Sequence, residues 1–249
     1  MQYGICNLSI VPLRLEPAMN AEQTSQVLFG EFFKVLDRRK HWSRIRLAFD
    51  KFEGWIDNKQ YTLLEESVYK VLEKEPAALS ADLVEFVFDD NNNLMPVPLG
   101  CNTGTVSQIG FHFDGRKISG KNPKEDLIKT AFLYLNCPEL RGGKTPFGID
   151  AAGFAQMVYH LNGYQIKRQA DEQAKMGDAL SFIEESEPGD LAFFDNEEGV
   201  IVHVGIIMEN NYIIHVDGKV RIDRIDHSGI FNVDSRTHTH KLRVIKKII

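Results

Sequence analysis

The chain has little cysteine, no long apolar run and no basic stripe, and each absence removes a class of function. Cys6, Cys101 and Cys137 are the three cysteines among 249 residues. They are odd in number, widely spaced and free of any CxxC pair, so neither a zinc ribbon nor a thioredoxin-like site is supported, and a reducing compartment fits best. No apolar stretch approaches membrane-spanning length. The opening Met1-Gln2-Tyr3-Gly4-Ile5-Cys6 has neither a basic segment nor a long apolar one, so no secretory signal is read there. Net charge is −6 and Lys246-Lys247 is only a short basic pair, which argues against nucleic acid as the main ligand. The expectation is a cytoplasmic protein without nucleic-acid or membrane partners. What is present, 43% hydrophobic and 26% charged residues, suits a globular chain with a substantial core.

The hydrophobic pattern divides the chain into three parts. Residues 1–61 carry short β-rich pieces between turn formers, with Trp42, Arg44 and Arg46 alternating against Ser43, Ile45 and Leu47. Residues 62–120 begin with helical spacing (Leu64, Val68, Val71, Leu72), expected to span about Leu63 to Leu79 and to end near Pro76, and then return to β-like runs. Asp89-Asp90 has no further carboxylates at loop-ligand spacing and reads as a solvated turn. Residues 121–249 change character: a helix near Lys124 to Tyr134, a glycine-rich loop, a second helix and then β runs. Helices followed by antiparallel-like strands describe an α+β domain.

The second of these helices is the informative one. Asp150 is a good N-cap, Phe154, Met157, Val158 and Leu161 recur at helical spacing, and Gly163 is placed to end the helix. The first turn of a helix stabilises a thiolate through unpaired N–H groups and the positive end of the dipole. Ala151 occupies that turn and has nothing to ionise. Downstream, His203 lies in Val202-His203-Val204-Gly205-Ile206 and His215 in Ile213-Ile214-His215-Val216, each on an apolar strand. A nucleophile at a helix start, a histidine base on a strand and a polar group behind it are the logic of a cysteine peptidase. A two-residue turn at Asn210-Asn211 would pair His215 with Ile206, so a longer loop or a bulge is needed to bring the two rings together. Two histidines offer no third metal ligand. His238 and His240 alternate on a late strand and read as solvent-facing, and no metal or cofactor is expected.

These residues resemble the NlpC-type family of papain-like cell-wall cysteine peptidases. The likeness rests on Gly142-Gly143-Lys144-Thr145-Pro146-Phe147-Gly148-Ile149-Asp150, Gly153-Phe154, Pro188-Gly189-Asp190-Leu191-Ala192-Phe193-Phe194, His203-Val204-Gly205-Ile206 and Ile213-Ile214-His215. The N-terminal pattern (Val11-Pro12-Leu13-Arg14, Leu28-Phe29-Gly30, Trp42, Gly54-Trp55-Ile56) resembles a bacterial SH3-like barrel. The resemblance implies two small SH3-like β barrels and a papain-like α+β domain. It also implies descent from endopeptidases that cut the bond from γ-D-glutamate to a diamino acid in murein peptides. It places His203 as the general base and His215 as the orienting residue. Where relatives read Asp-Cys-Ser-Gly-Phe, this chain has Asp150-Ala151-Ala152-Gly153-Phe154. Glu139 and Arg141 stand where relatives carry tyrosine and tryptophan. Gln169 and Ala170 follow Arg168 in the substrate loop, where an aspartate helps hold the substrate's free amine.

The resulting expectation is a catalytically silent relative that binds a cell-wall-derived or related peptide through Glu139, Arg141, Asp150, Ala152, Gln169 and Ala170. Two other readings compete. One is a regulatory module that meets a protein partner through its barrels and a blocked cleft. The other is residual or relocated peptidase activity, for which Cys137 beside Pro138-Glu139 is the candidate thiol.

Overall fold

Alternating apolar residues at the start of the chain fold into β1 (Gln2–Ile5), β2 (Ile10–Arg14), β3 (Gln23–Leu28), β4 (Phe32–Arg38), β5 (Trp42–Leu47), β6 (Glu53–Asp57) and β7 (Thr62–Leu64). A computed structural model describes residues 2–249. These strands make one antiparallel sheet in the order β3-β2-β6-β5-β4-β1-β7, an SH3-like β domain. Ser43, Ile45 and Leu47 point inward and Arg44 and Arg46 outward, where both pair with Glu53. Val11, Leu13, Val27, Phe33 and Ile56 fill the interior. Trp42 and Trp55 are only half-buried, and the Arg39 guanidinium covers the Trp55 ring at 4.4 Å.

The helix expected from about Leu63 to Leu79 is shorter, α1 (Glu66–Leu72). Its flanks are claimed by strands: Leu63 and Leu64 pair with β1, and β8 (Ala78–Ser80) follows Pro76. Ladder hydrogen bonds leave that backbone no donors for a helix. β9 (Val84–Asp89), β10 (Leu94–Pro98), β11 (Phe111–His112) and β12 (Lys117–Ser119) complete two small sheets, β10-β9-β11 and β12-β8. Asp89 accepts from the backbone N–H groups of Asn91 and Asn93, both at 2.9 Å, as a turn residue does.

The chain forms two units, Met1–Lys121 with Arg141–Pro146, and Asn122–Leu140 with Phe147–Ile249. The segment Arg141–Pro146, which contains β13 (Lys144–Thr145), is held in the first unit by a buried ion pair. Lys144 Nζ lies 2.8 Å from Glu31 Oε1, and the two side chains are 1% and 8% exposed. Gly142 is at φ +74°, and a Cβ there would meet the Gln23 carbonyl at 2.5 Å, so only glycine fits this close approach.

The second unit contains α2 (Asp126–Phe132), β14 (Gly148–Ile149), α3 (Ala151–Leu161), α4 (Ala170–Gln173), β15 (Asp178–Leu180), β16 (Leu191–Asp195), β17 (Ile201–Ile207), β18 (Tyr212–Asp217), β19 (Lys219–Asp226), β20 (Gly229–Asn232) and β21 (Thr237–Lys247). Its sheet runs β15-β21-β16-β17-β18-β19-β20, all antiparallel, and β20 also pairs with β21, so the strands between them close on one another. Phe194, Ile207, Ile213, Ile225, Ile230 and Ile245 pack in its core. α3 lies against β17 and β18. Its apolar residues Phe154, Met157, Val158 and Leu161 are buried, and Gly163 closes it at φ +80°. Lys124 Nζ reaches the buried Asp190 carboxylate at 2.7 Å at the start of β16. No helix of the described residues is long and apolar enough to cross a membrane.

Candidate functional site

The start of α3 is built to hold charge. Asp150 is extended (φ −96°, ψ 168°), and its Oδ1 accepts from the Gly153 N–H at 2.6 Å. Arg168, 2% exposed, grips the same carboxylate with two N–H groups, Nη1 to Oδ1 at 2.9 Å and Nη2 to Oδ2 at 2.7 Å. The cap is therefore neutralised, and the positive end of the helix dipole is left available. Ala151 is the first residue of α3 and is half-buried. Its methyl group can neither ionise nor attack a carbonyl. Ala152 beside it is also half-buried, and its carbonyl accepts from Gln173 Nε2 at 2.9 Å.

Register decides what the histidines can do. The loop between β17 and β18 passes through Glu209–Asn211, where Asn210 and Asn211 both adopt positive φ. It sets His215 opposite Gly205, whereas a two-residue turn would set it opposite Ile206. One residue of slip exchanges the two faces of a strand. With Ile206 as partner, His215 and His203 would face opposite sides of the sheet. With Gly205 as partner they share one side. Gly205 leaves the required room, since a Cβ there would meet His215 Cβ at 2.9 Å and Ile213 Cδ1 at 2.6 Å.

The rings consequently touch. His203 Nε2 lies 3.1 Å from His215 Nδ1, and His215 Nε2 lies 3.0 Å from Asp223 Oδ2. Asp223 on β19 is fully buried, and no sequence pattern had singled it out. Burial works against ionising its carboxyl, but hydrogen bonds from His215 and Arg221 outweigh that and hold it at about 2. An ionised carboxylate only accepts, so His215 donates to it from Nε2, and in its neutral form the ring offers a bare Nδ1. His203 must then donate from Nε2, which leaves its own Nδ1 as a proton acceptor. Arg221 anchors the far end, with Nε 2.6 Å from Asp223 Oδ2 and Nη2 3.0 Å from Oδ1. Burial, with His240 and His215 as neighbours, pushes the His203 pKa well below the usual histidine range. The imidazole is neutral at pH 7, the form a general base requires.

His240 is the second residue that sequence reasoning missed. It sits half-buried on β21, with its ring stacked on His203 at 4.1 Å between centroids, while His238 stays at the surface against Asp226. A shift in the β20–β21 ladder between Ile230 and Phe231 breaks the simple alternation that had sent both outward. Gly229 permits it, because a Cβ there would lie 1.8 Å from the His240 carbonyl oxygen.

Glu139 is exposed, and its carboxylate accepts from the Gly218 N–H at 2.8 Å. Arg141 belongs to the first unit, where its 82% exposed side chain pairs with Glu22. Gln169 is exposed at the start of α4, and Ala170 beside it is half-buried. Cys137 is buried, which pushes its thiol up to about 11 and makes it a poor nucleophile.

A capped helix start and a histidine–histidine–aspartate relay carried on an antiparallel sheet give the second unit a papain-like α+β fold, and the first unit holds the SH3-like strands. Residues 140–237 match the NlpC/P60 family and residues 13–60 match the bacterial dipeptidyl-peptidase SH3 domain, so the chain carries an NlpC/P60 domain preceded by that SH3 domain. It is similar to the gamma-D-glutamyl-L-lysine dipeptidyl-peptidase of Bacillus subtilis, with 29% identity over 79% of this chain and 72% of that one. It is 23% identical to dipeptidyl-peptidase 6 of Lysinibacillus sphaericus over 86% of this chain and 88% of the other. An NlpC/P60 family protein from Bacillus cereus shares the fold across 99% of both chains, with a TM-score of 0.76 and 17% identity.

Proposed function

We propose that this protein binds a γ-D-glutamyl peptide derived from the cell wall and does not hydrolyse it. One observation carries the reading: the relay from His203 through His215 to Asp223 is complete, while the helix start holds Ala151. Without a thiol no covalent acyl intermediate can form, and a neutral imidazole alone supplies only a small part of a peptidase's rate. The relatives named for γ-D-glutamyl-L-lysine cleavage support a peptide of that class as ligand. The altered residues Glu139, Gln169 and Ala170 support a ligand that differs from theirs in detail. Three free, buried cysteines support a reducing compartment, in keeping with a cytoplasmic role.

Calorimetry of the purified chain with L-Ala-γ-D-Glu-L-Lys and with the diaminopimelate peptide tests binding, and mass spectrometry of the same mixtures tests cleavage. Saturable heat with intact peptide is expected. Absence of heat with both peptides would remove the binding assignment, and turnover at an ordinary enzymatic pace would restore the chain to the peptidases.

A further inference from the structure

Three imidazoles converge in the second unit: His203, His215 and His240 each offer a ring nitrogen within 4.8 Å of the other two. Peptidase logic uses two of them and leaves His240 without a task. His215 presents Nδ1 inward because Asp223 holds its other nitrogen at 3.0 Å. His203 Nε2 lies 3.1 Å from that Nδ1. His240 Nδ1 meets Thr239 Oγ1 at 2.9 Å, which leaves Nε2 with no protein partner among the described residues. Nitrogens that share a tetrahedral zinc ion at ~2.0–2.1 Å stand about 3.3 Å apart, close to the His203–His215 spacing.

We infer that His203, His215 and His240 form a binding site for a divalent transition metal of the zinc class. Imidazole suits zinc better than it suits calcium or magnesium, which take oxygen ligands. The carboxylate behind His215 is the outer partner that metal-bound histidines usually have, and Arg221 in turn fixes that carboxylate. Binding moves the proton that now bridges His203 and His215 onto His203 Nδ1, so both facing nitrogens present lone pairs. His240 turns out of its stack on His203 to bring Nε2 in, a side-chain rotation that its half-buried place on β21 allows. This inference does not rest on peptide binding, and it holds for this chain whichever ligand the cleft takes.

Titration of the full chain with Zn(II), followed by calorimetry and by competition with a chromophoric chelator, tests it. Co(II) serves as a spectroscopic substitute. The expected result is one equivalent bound per chain, with the visible bands of tetrahedral cobalt displaced by zinc. His240→Gln, which keeps the bulk of the ring position, should weaken binding at least ~100-fold, and Asp223→Asn about 10–100-fold. His238→Ala, on the same strand but outside the cluster, should leave binding unchanged. Far-UV circular dichroism of His240→Gln and the apo chain shows whether the variant is folded, and His240→Ala provides a second deletion of the same ligand. Failure to bind Zn(II) at millimolar concentration would overturn the inference, as would binding that survives both His240 variants in folded protein.

Discussion

Restoring a thiol at the start of α3 tests whether the frame around Ala151 still activates one. In Ala151→Cys the sulfur would sit in the first turn of α3, where free N–H groups and the dipole favour its anion. Asp150 next to it would oppose that charge, but Arg168 already neutralises Asp150 through two bonds. Thiols in such places ionise at about 3.5–7.5, and ~7 is taken here as the conservative end. Half of the new thiol is then ionised at pH 7. Burial pushes Cys137 up to about 11 and Cys6 to about 12, so the thiolate fraction of Cys137 at pH 7 is only about one in ten thousand. A less basic thiolate is also intrinsically slower, which removes roughly two of those four decades. Iodoacetamide should therefore alkylate the variant about 100-fold faster than the parent chain at pH 7. Peptide mapping by mass spectrometry would locate the label, and the rate should plateau above pH ~7 while the native thiols keep rising. A variant labelled no faster than the parent would refute the claim that this helix start is prepared for a nucleophile.

Two further outcomes follow from buried charges. Asp223→Asn should cost about 2 kcal/mol at pH 7, the free energy that matches a carboxyl held at about 2 against its ordinary 3.8. Because the folded value is the lower one, this stabilisation is complete above 3.8 and disappears as pH falls toward about 2. Thermal melts of parent and variant should therefore converge in acid, and a constant gap between pH 7 and 2 would contradict the assignment. Lys144→Met should destabilise the first unit by about 3–5 kcal/mol, since it strands the buried Glu31 carboxylate, and adding Glu31→Gln should recover much of that loss. Urea unfolding followed by tryptophan fluorescence reads this unit, which holds Trp42 and Trp55. A loss below ~1 kcal/mol would show that Glu31 finds another partner.

Local signals in the chain were sufficient for α3: a capping carboxylate, apolar residues at helical spacing and a closing glycine specify it without help from distant residues, and they place Ala151 in its first turn. The strands carrying His203 and His215 were legible from their apolar composition, and the alternation of β5 from its period of two. The relay itself was not legible. Whether two histidines on neighbouring strands meet depends on the parity of one register, set here by the loop through Asn210 and Asn211 and by room at Gly205. Asp223 and His240 reach the same place by pairing across separate ladders, one of them shifted between Ile230 and Phe231. The segment Arg141–Pro146 reads along the chain as part of the approach to α3, yet Lys144 ties it to Glu31 of the barrel. Short-range hydrogen bonding and hydrophobic period are encoded within a dozen residues and can be read there. Which buried polar groups become neighbours depends on strand register and loop closure, and those are decided only when the whole sheet closes.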